Sequence, residues 1–249
     1  MTKLLIVGNS QAGCIKRAYD RIPEVLNSVA DVYFYVISGG TGPYFQIKSD
    51  RLVVEASNPK YPPYAIPEDA RSLPLKNYDI IFVSALGYID GGFAFVNQIT
   101  RQGLLFDFGP KANPITDLLL SKSCYTRVIF DMLMAQSGFR FLESLRGAFG
   151  KRIVVQPFPL LSSLTRESSA WAMNQMYEQP LEAHKFFQGT RDEFVDLFCR
   201  ERSIELLPYL RHEWTEDYFT PEALMRSGDC VHPTDEYGEL VVRQLASRL

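Results

Sequence analysis

Long hydrophobic runs, a basic excess, paired cysteines and clustered histidines are all missing from this 249-residue chain. Its longest apolar runs fall far short of the ~20 residues a membrane-crossing helix needs, so no membrane is expected among its partners. With Lys+Arg 26 against Asp+Glu 29 the formal net charge is -3, and no Lys/Arg cluster stands out. That balance excludes a nucleic-acid surface from the expected functions. The four cysteines (Cys14, Cys124, Cys199 and Cys230) match neither a CxxC pair nor a zinc spacing. They are expected as free thiols in a reducing compartment. The three histidines, His184, His212 and His232, are too few and too scattered for a metal cluster. No metal or redox cofactor is therefore expected. "MTKLLIVGNS" has one lysine and only a brief apolar run. It is too short for a signal peptide and reads as a first strand, which makes the expected location cytoplasmic. No internal repeat or low-complexity tract breaks the pattern.

What remains is a composition with 46% hydrophobic and 22% charged residues, enough for one large globular domain over residues 1–249. Residues 3–7 (KLLIV) form a strand buried on both faces. From Ser10 the apolar positions Ile15, Ala18, Tyr19 and Ile22 follow helical spacing, and Pro23 lies near that helix's end. Residues 31–38 are aromatic and β-branched and predict a second strand. An insertion at about 43–77 follows: a hairpin over 44–56 turning at Ser49-Asp50, then a proline-rich loop with one short helix. Residues 78–87 read as a third buried strand, and 91–113 fit no single pattern. A long helical region over 121–149 is broken at Ser137-Gly138. A fourth strand spans 151–159. Residues 164–200 read as helix interrupted near Pro180 and Gly189. A fifth strand covers 204–208, and Thr234 caps a final helix carrying Leu240, Val241 and Leu245. Strands alternating with helices predict an α/β layered domain with a mainly parallel sheet.

In such sheets, sites form beyond the carboxyl ends of the strands. Three of those ends carry glycine turns: Gly8-Asn9-Ser10, Gly39-Gly40-Thr41-Gly42 and Gly87-Tyr88-Ile89-Asp90. Ser10 lies where a helix N-terminus offers free N–H groups and a positive dipole end to an oxyanion. It reads either as a nucleophile or as the N-cap of the helix. Near the other end, "GDCVHPTDEYG" sets Asp229 three residues before His232. A base histidine needs such a carboxylate to hold its tautomer.

Together, Gly8-Asn9-Ser10 after the first strand and Asp229-x-x-His232 before the last helix resemble the SGNH/GDSL hydrolase superfamily. The resemblance implies a three-layer sandwich with a central parallel sheet, of SGNH hydrolase or flavodoxin-like form. It implies Ser10 as nucleophile, His232 as base and then acid, and Asp229 as the orienting carboxylate. It implies oxyanion donors at the serine N–H and a glycine after the second strand, with Gly40 the choice and Gly39 and Gly42 close rivals. The substrate it implies is a small-molecule or carbohydrate acyl ester. Asn9 stands where that family usually has aspartate. Gly87-Tyr88-Ile89-Asp90 puts isoleucine where the family has an oxyanion asparagine, a donor worth about 3–4 kcal/mol in the transition state. "GNSQ" is also similar to the "GNCQ" opening of capsular-polysaccharide acetyltransferase-like proteins. That second resemblance makes Gln11 part of the motif and implies acyl transfer from a CoA-type donor to a saccharide; otherwise Gln11 is a solvated first-turn residue. A non-catalytic binding protein of the same fold is the third reading. Cys14, one turn after Ser10, reads as a small buried hydrophobe.

Overall fold

A computed structural model describes residues 1–36, 45–54, 71–84, 104–106, 118–157, 162, 181–208, 210, 219–229 and 232–249. Leu4, Leu5, Ile6 and Val7 of strand β1 (Thr2–Gly8) have no exposed surface. A strand reads as an unbroken apolar run when both its faces are covered. β1 pairs in parallel with β2 (Ala30–Val36) on one side and with β6 (Ile80–Ser84) on the other. β6 then pairs in parallel with β9 (Arg152–Gln156), and β9 with β10 (Glu205–Leu206). The five-stranded sheet therefore runs β2-β1-β6-β9-β10.

Alternate residues of β1 face opposite layers, as the two-residue period of a strand requires. Leu4 and Ile6 pack with Ile15 and Ala18 of α1 (Ala12–Arg21), Leu26 of α2 (Pro23–Asn27), and Val241 and Leu245 of α6 (Asp235–Ala246). Leu5 and Val7 join a second core. It contains Leu133 of α3 (Lys122–Ala135), Leu142 of α4 (Ser137–Ala148) and Phe198 of α5 (Leu181–Glu201). The fold is thus an α/β/α sandwich.

Among the described residues, two smaller sheets accompany this frame. β3 (Phe45–Lys48), β4 (Arg51–Val54) and β5 (Ser72–Pro74) are antiparallel, and β7 (Leu104–Phe106) pairs in parallel with β8 (Leu118–Leu120). The β3–β4 hairpin turns at Ser49, whose φ is 57. β5 and a single 3-10 turn over Leu75–Asn77 occupy the end of the proline-rich segment, where loop and one short helix were expected.

The structure corrects several expected boundaries. The first helix begins at Ala12, two residues after Ser10. The helical region over 121–149 breaks at Gln136, whose ψ is 140, just before Ser137-Gly138. The helix of residues 181–201 continues through Gly189. Its interior glycine costs about 1 kcal/mol relative to alanine, and burial of Phe194, Val195 and Phe198 on the same helix offsets it. The fifth strand is only Glu205–Leu206, although the Leu207 N–H still donates to the Val155 carbonyl at 2.8 Å. The expected turns at 39–42 and 87–90, most of 91–113 and the first part of 164–200 lie outside the described residues. Among the described residues no helix is long and apolar enough to cross a membrane.

Candidate active site

The strand order places a crevice before any side chain is considered. The chain leaves β1 for β2 on one flank and returns to β6 on the other. Such a reversal opens a gap outside the carboxyl ends of the two diverging strands, here β1 and β6. Gly8 ends β1 opposite Ser84, the last residue of β6. A Cβ on Gly8 would come within 2.5 Å of the Ala12 Cβ and 2.8 Å of the Ser84 carbonyl oxygen. Only glycine lets the chain turn from β1 into α1 this tightly.

Asn9 holds that turn. Its Oδ1 accepts the Gln11 N–H at 3.1 Å, and its carbonyl accepts the Ala12 N–H at 2.9 Å. The amide oxygen therefore satisfies a donor at the helix start. Ser10 is half-buried at the crest of the turn, and its carbonyl accepts the Gly13 N–H at 3.1 Å. The residue at the cap position is Gln11, with helical φ and ψ and no side-chain cap. Ser10 Oγ is thus not used as a helix cap. Gln11 is 4% exposed, which overturns the solvated reading of that residue. Cys14 is buried, donates its S–H to the Gln11 carbonyl at 3.1 Å, and burial pushes its thiol up to about 12. It is a packing residue with no thiolate near neutral pH.

The second half of the site is a closed loop ahead of α6. The Arg226 N–H donates to the His232 carbonyl at 3.0 Å, and the Thr234 N–H to the Leu224 carbonyl at 2.9 Å. Inside it, the Asp229 N–H reaches the Arg226 carbonyl at 2.9 Å, with Gly228 at φ 72 as the third residue of the turn. That combination is the type II pattern, which asks for glycine there. The turn presents both Asp229 oxygens to His232. Oδ1 accepts the His232 N–H at 3.0 Å, and Oδ2 lies 2.7 Å from Nδ1. A carboxylate on Nδ1 holds the proton there and leaves Nε2 as a proton acceptor. The pair is partly exposed, at 37% for His232 and 33% for Asp229.

Beneath this edge runs a buried polar chain that no short motif announces. Ser84 Oγ donates to Gln156 Oε1 at 2.8 Å, and Gln156 Nε2 donates to the Tyr237 hydroxyl at 3.3 Å. The chain links the carboxyl ends of β6 and β9 to the first turn of α6, and burial raises the Tyr237 phenol well above its ordinary range. The only sequence signal was a polar residue inside each of two largely apolar predicted strands, 78–87 and 151–159.

Of the residues singled out from sequence, Gly8, Asn9, Ser10 and Gln11 form the β1–α1 turn, and Asp229 and His232 form the loop before α6. Among the described residues no hydrogen bond joins Ser10 to His232. Gly39, Gly40, Gly87, Ile89 and Cys230 lie outside the described residues.

Among solved structures, the chain is similar to an extracellular lipase from Streptomyces rimosus, with 13% identity over 100% of both chains and a TM-score of 0.48. It is similar to a GDSL-like lipase from Bacteroides thetaiotaomicron, with 12% identity over 99% of this chain and 88% of that one, at a TM-score of 0.47. It is also similar to the periplasmic domain of a lipopolysaccharide acetyltransferase from Salmonella ser. Paratyphi A, with 12% identity over 100% of this chain and 84% of that one, at a TM-score of 0.43. No family model matches the chain, and no curated protein matches it.

Proposed function

We propose that this protein is a serine ester hydrolase acting on a small or carbohydrate acyl ester, with Ser10, His232 and Asp229 in the catalytic roles. The observation that carries the reading is the Asp229–His232 pair. One carboxylate engages both the backbone and Nδ1 of the same histidine, at 3.0 and 2.7 Å, which orients the ring and leaves Nε2 for proton transfer. Ser10 supports it from the other end of the chain, at the mouth of the β1–β6 crevice and relieved of any capping duty.

The chemistry follows from those groups. Ser10 Oγ attacks the acyl carbon while Nε2 of His232 takes its proton, and the resulting imidazolium is stabilised by Asp229. The tetrahedral intermediate collapses, the acyl C–O bond to the alcohol breaks, and the departing oxygen takes the proton from His232. Water then repeats the cycle on the acyl-serine. The Ser10 N–H, at the positive end of α1, serves as a donor for the oxyanion. Catalytic hydrogen bonds often tighten only when substrate is bound, and in this reading the Ser10–His232 contact forms at that point.

Labelling with a fluorophosphonate followed by peptide mapping tests this. The probe should attach at Ser10, and His232→Ala should abolish the attachment. Hydrolysis of p-nitrophenyl acetate should fall by about three orders of magnitude or more in Ser10→Ala. A wild-type protein left unlabelled at Ser10 rejects the proposal. Thioester turnover that accelerates on adding a saccharide acceptor would instead assign the same residues to acyl transfer.

A further inference from the structure

Helices α1 and α6 carry the two halves of the proposed site, and they meet at one point with no side chain between them. A Cβ on Gly238 would lie 2.3 Å from the Cys14 carbonyl oxygen, 2.7 Å from its carbon and 3.0 Å from the Ala18 Cβ. The first two atoms are helix backbone and cannot swing aside. Any residue other than glycine must therefore drive the helices apart. Cys14 is one helical turn past Ser10, and Gly238 lies in the first turn of α6, just behind the His232 loop.

The same crossing is closed from both sides. Outward, Arg17 Nε donates to Asp235 Oδ1 at 2.7 Å, and Arg21 Nη1 lies 3.5 Å from Glu239 Oε1. Inward, Tyr237, adjacent to Gly238, is bound by Gln156 at the sheet edge. α6 can therefore neither slide along α1 nor rotate on the sheet without breaking one of these contacts.

We infer that Gly238 is a positioning residue of this site: its backbone contact with Cys14 sets how close the Ser10 turn stands to the His232 imidazole. The inference deepens the serine-hydrolase reading and rests on it. Misplacing a reacting group by about 1 Å can cost 10²-fold in rate. Gly238→Ala forces a displacement of that order where the two helices carry their functional ends.

The test uses two readouts, one of them independent of ester turnover. In a Ser10→Cys protein, the pH profile of iodoacetamide alkylation at that position, followed by peptide mapping, reports the thiol's neighbours. A nearby His232 should lower its apparent pKa below the ~8.5 of a free cysteine, and His232→Ala should restore it. Adding Gly238→Ala should move the profile back toward the free value. In the native serine protein, Gly238→Ala should slow fluorophosphonate labelling by about 10²-fold. Leu245→Ala, a buried truncation at the far end of α6, serves as the control for lost stability and should leave both readouts unchanged. Ala18→Ser thickens the same contact by one atom. It should shift both readouts in the same direction by less, and it carries the test if the Gly238 variant does not fold. An unchanged alkylation profile in Gly238→Ala overturns the inference, as does an equal change in Leu245→Ala. A thiol profile that responds to Gly238→Ala in a protein whose serine is never labelled supports the positioning role and rejects the hydrolase reading.

Discussion

Single residues here do work their type alone does not announce. Asn9 carries no charge, yet its amide oxygen accepts a helix-start N–H as a carboxylate could. Asp79 shows the other side of residue-scale chemistry. The Lys3 N–H donates to it at 3.0 Å and Lys151 Nζ lies 2.9 Å away, and these two bonds, in that order, hold its carboxyl below the ordinary range. A carboxyl whose pKa is lower folded than unfolded stabilises fully above its unfolded pKa of about 3.9. That contribution is lost as pH falls through the lower folded value. Thermal melts of wild type and Asp79→Asn should therefore differ at pH 6 and converge as the pH drops below about 4. A gap that stays constant across that window would mean the bonds do not couple to protonation.

At the scale of elements, the β1–α1 turn is the one on which the site depends. Its first-turn N–H groups need acceptors, and Asn9 supplies them from both its side chain and its carbonyl. Asn9→Leu should cost about 1–2 kcal/mol by urea unfolding, whereas Asn9→Asp, which keeps the acceptor beside a helix N-terminus, should be neutral or slightly stabilising. Equal losses in both would show that the side chain's shape, not its acceptor, holds the turn. The carboxyl-terminal loop is built differently. Gly228 turns the chain, the Arg226–His232 backbone bond closes it, and Thr234 Oγ1 accepts the Tyr237 N–H at 3.5 Å to start α6.

At the scale of the molecule, the described residues form two cores that back onto one parallel sheet, and a short polar chain pins one of the outer layers to it. Ser84, Gln156 and Tyr237 are each 5% exposed or less. Such a network stabilises only while every member is paired. Tyr237→Phe leaves the buried Gln156 Nε2 without its acceptor and should destabilise the protein by about 1–3 kcal/mol. In a domain of this size that corresponds to a fall in Tm of roughly 2–4 °C per kcal/mol, readable by calorimetry. A Tm within error of wild type would show that another group or water takes over the amide.

What the sequence determined by itself was whatever acts over a few residues. KLLIV announced a strand covered on both faces because its apolar run leaves no polar face. Ser49-Asp50 announced the hairpin turn, and Asp229-x-x-His232 had the spacing at which one turn brings a carboxylate to an imidazole. The tertiary structure alone decided what depends on distant segments meeting. Gly8 needed Ser84 beside it, and Gly238 needed Cys14, before either glycine could be read as a close contact. Gln11 read either as a motif residue or as a solvated one until folding left it 4% exposed, and Gly189 looked like a break until the core face of its helix outweighed it. The reason is physical: periodicity and turn chemistry are local and leave a pattern in the chain. Close packing and buried polar networks exist only between surfaces that folding brings together.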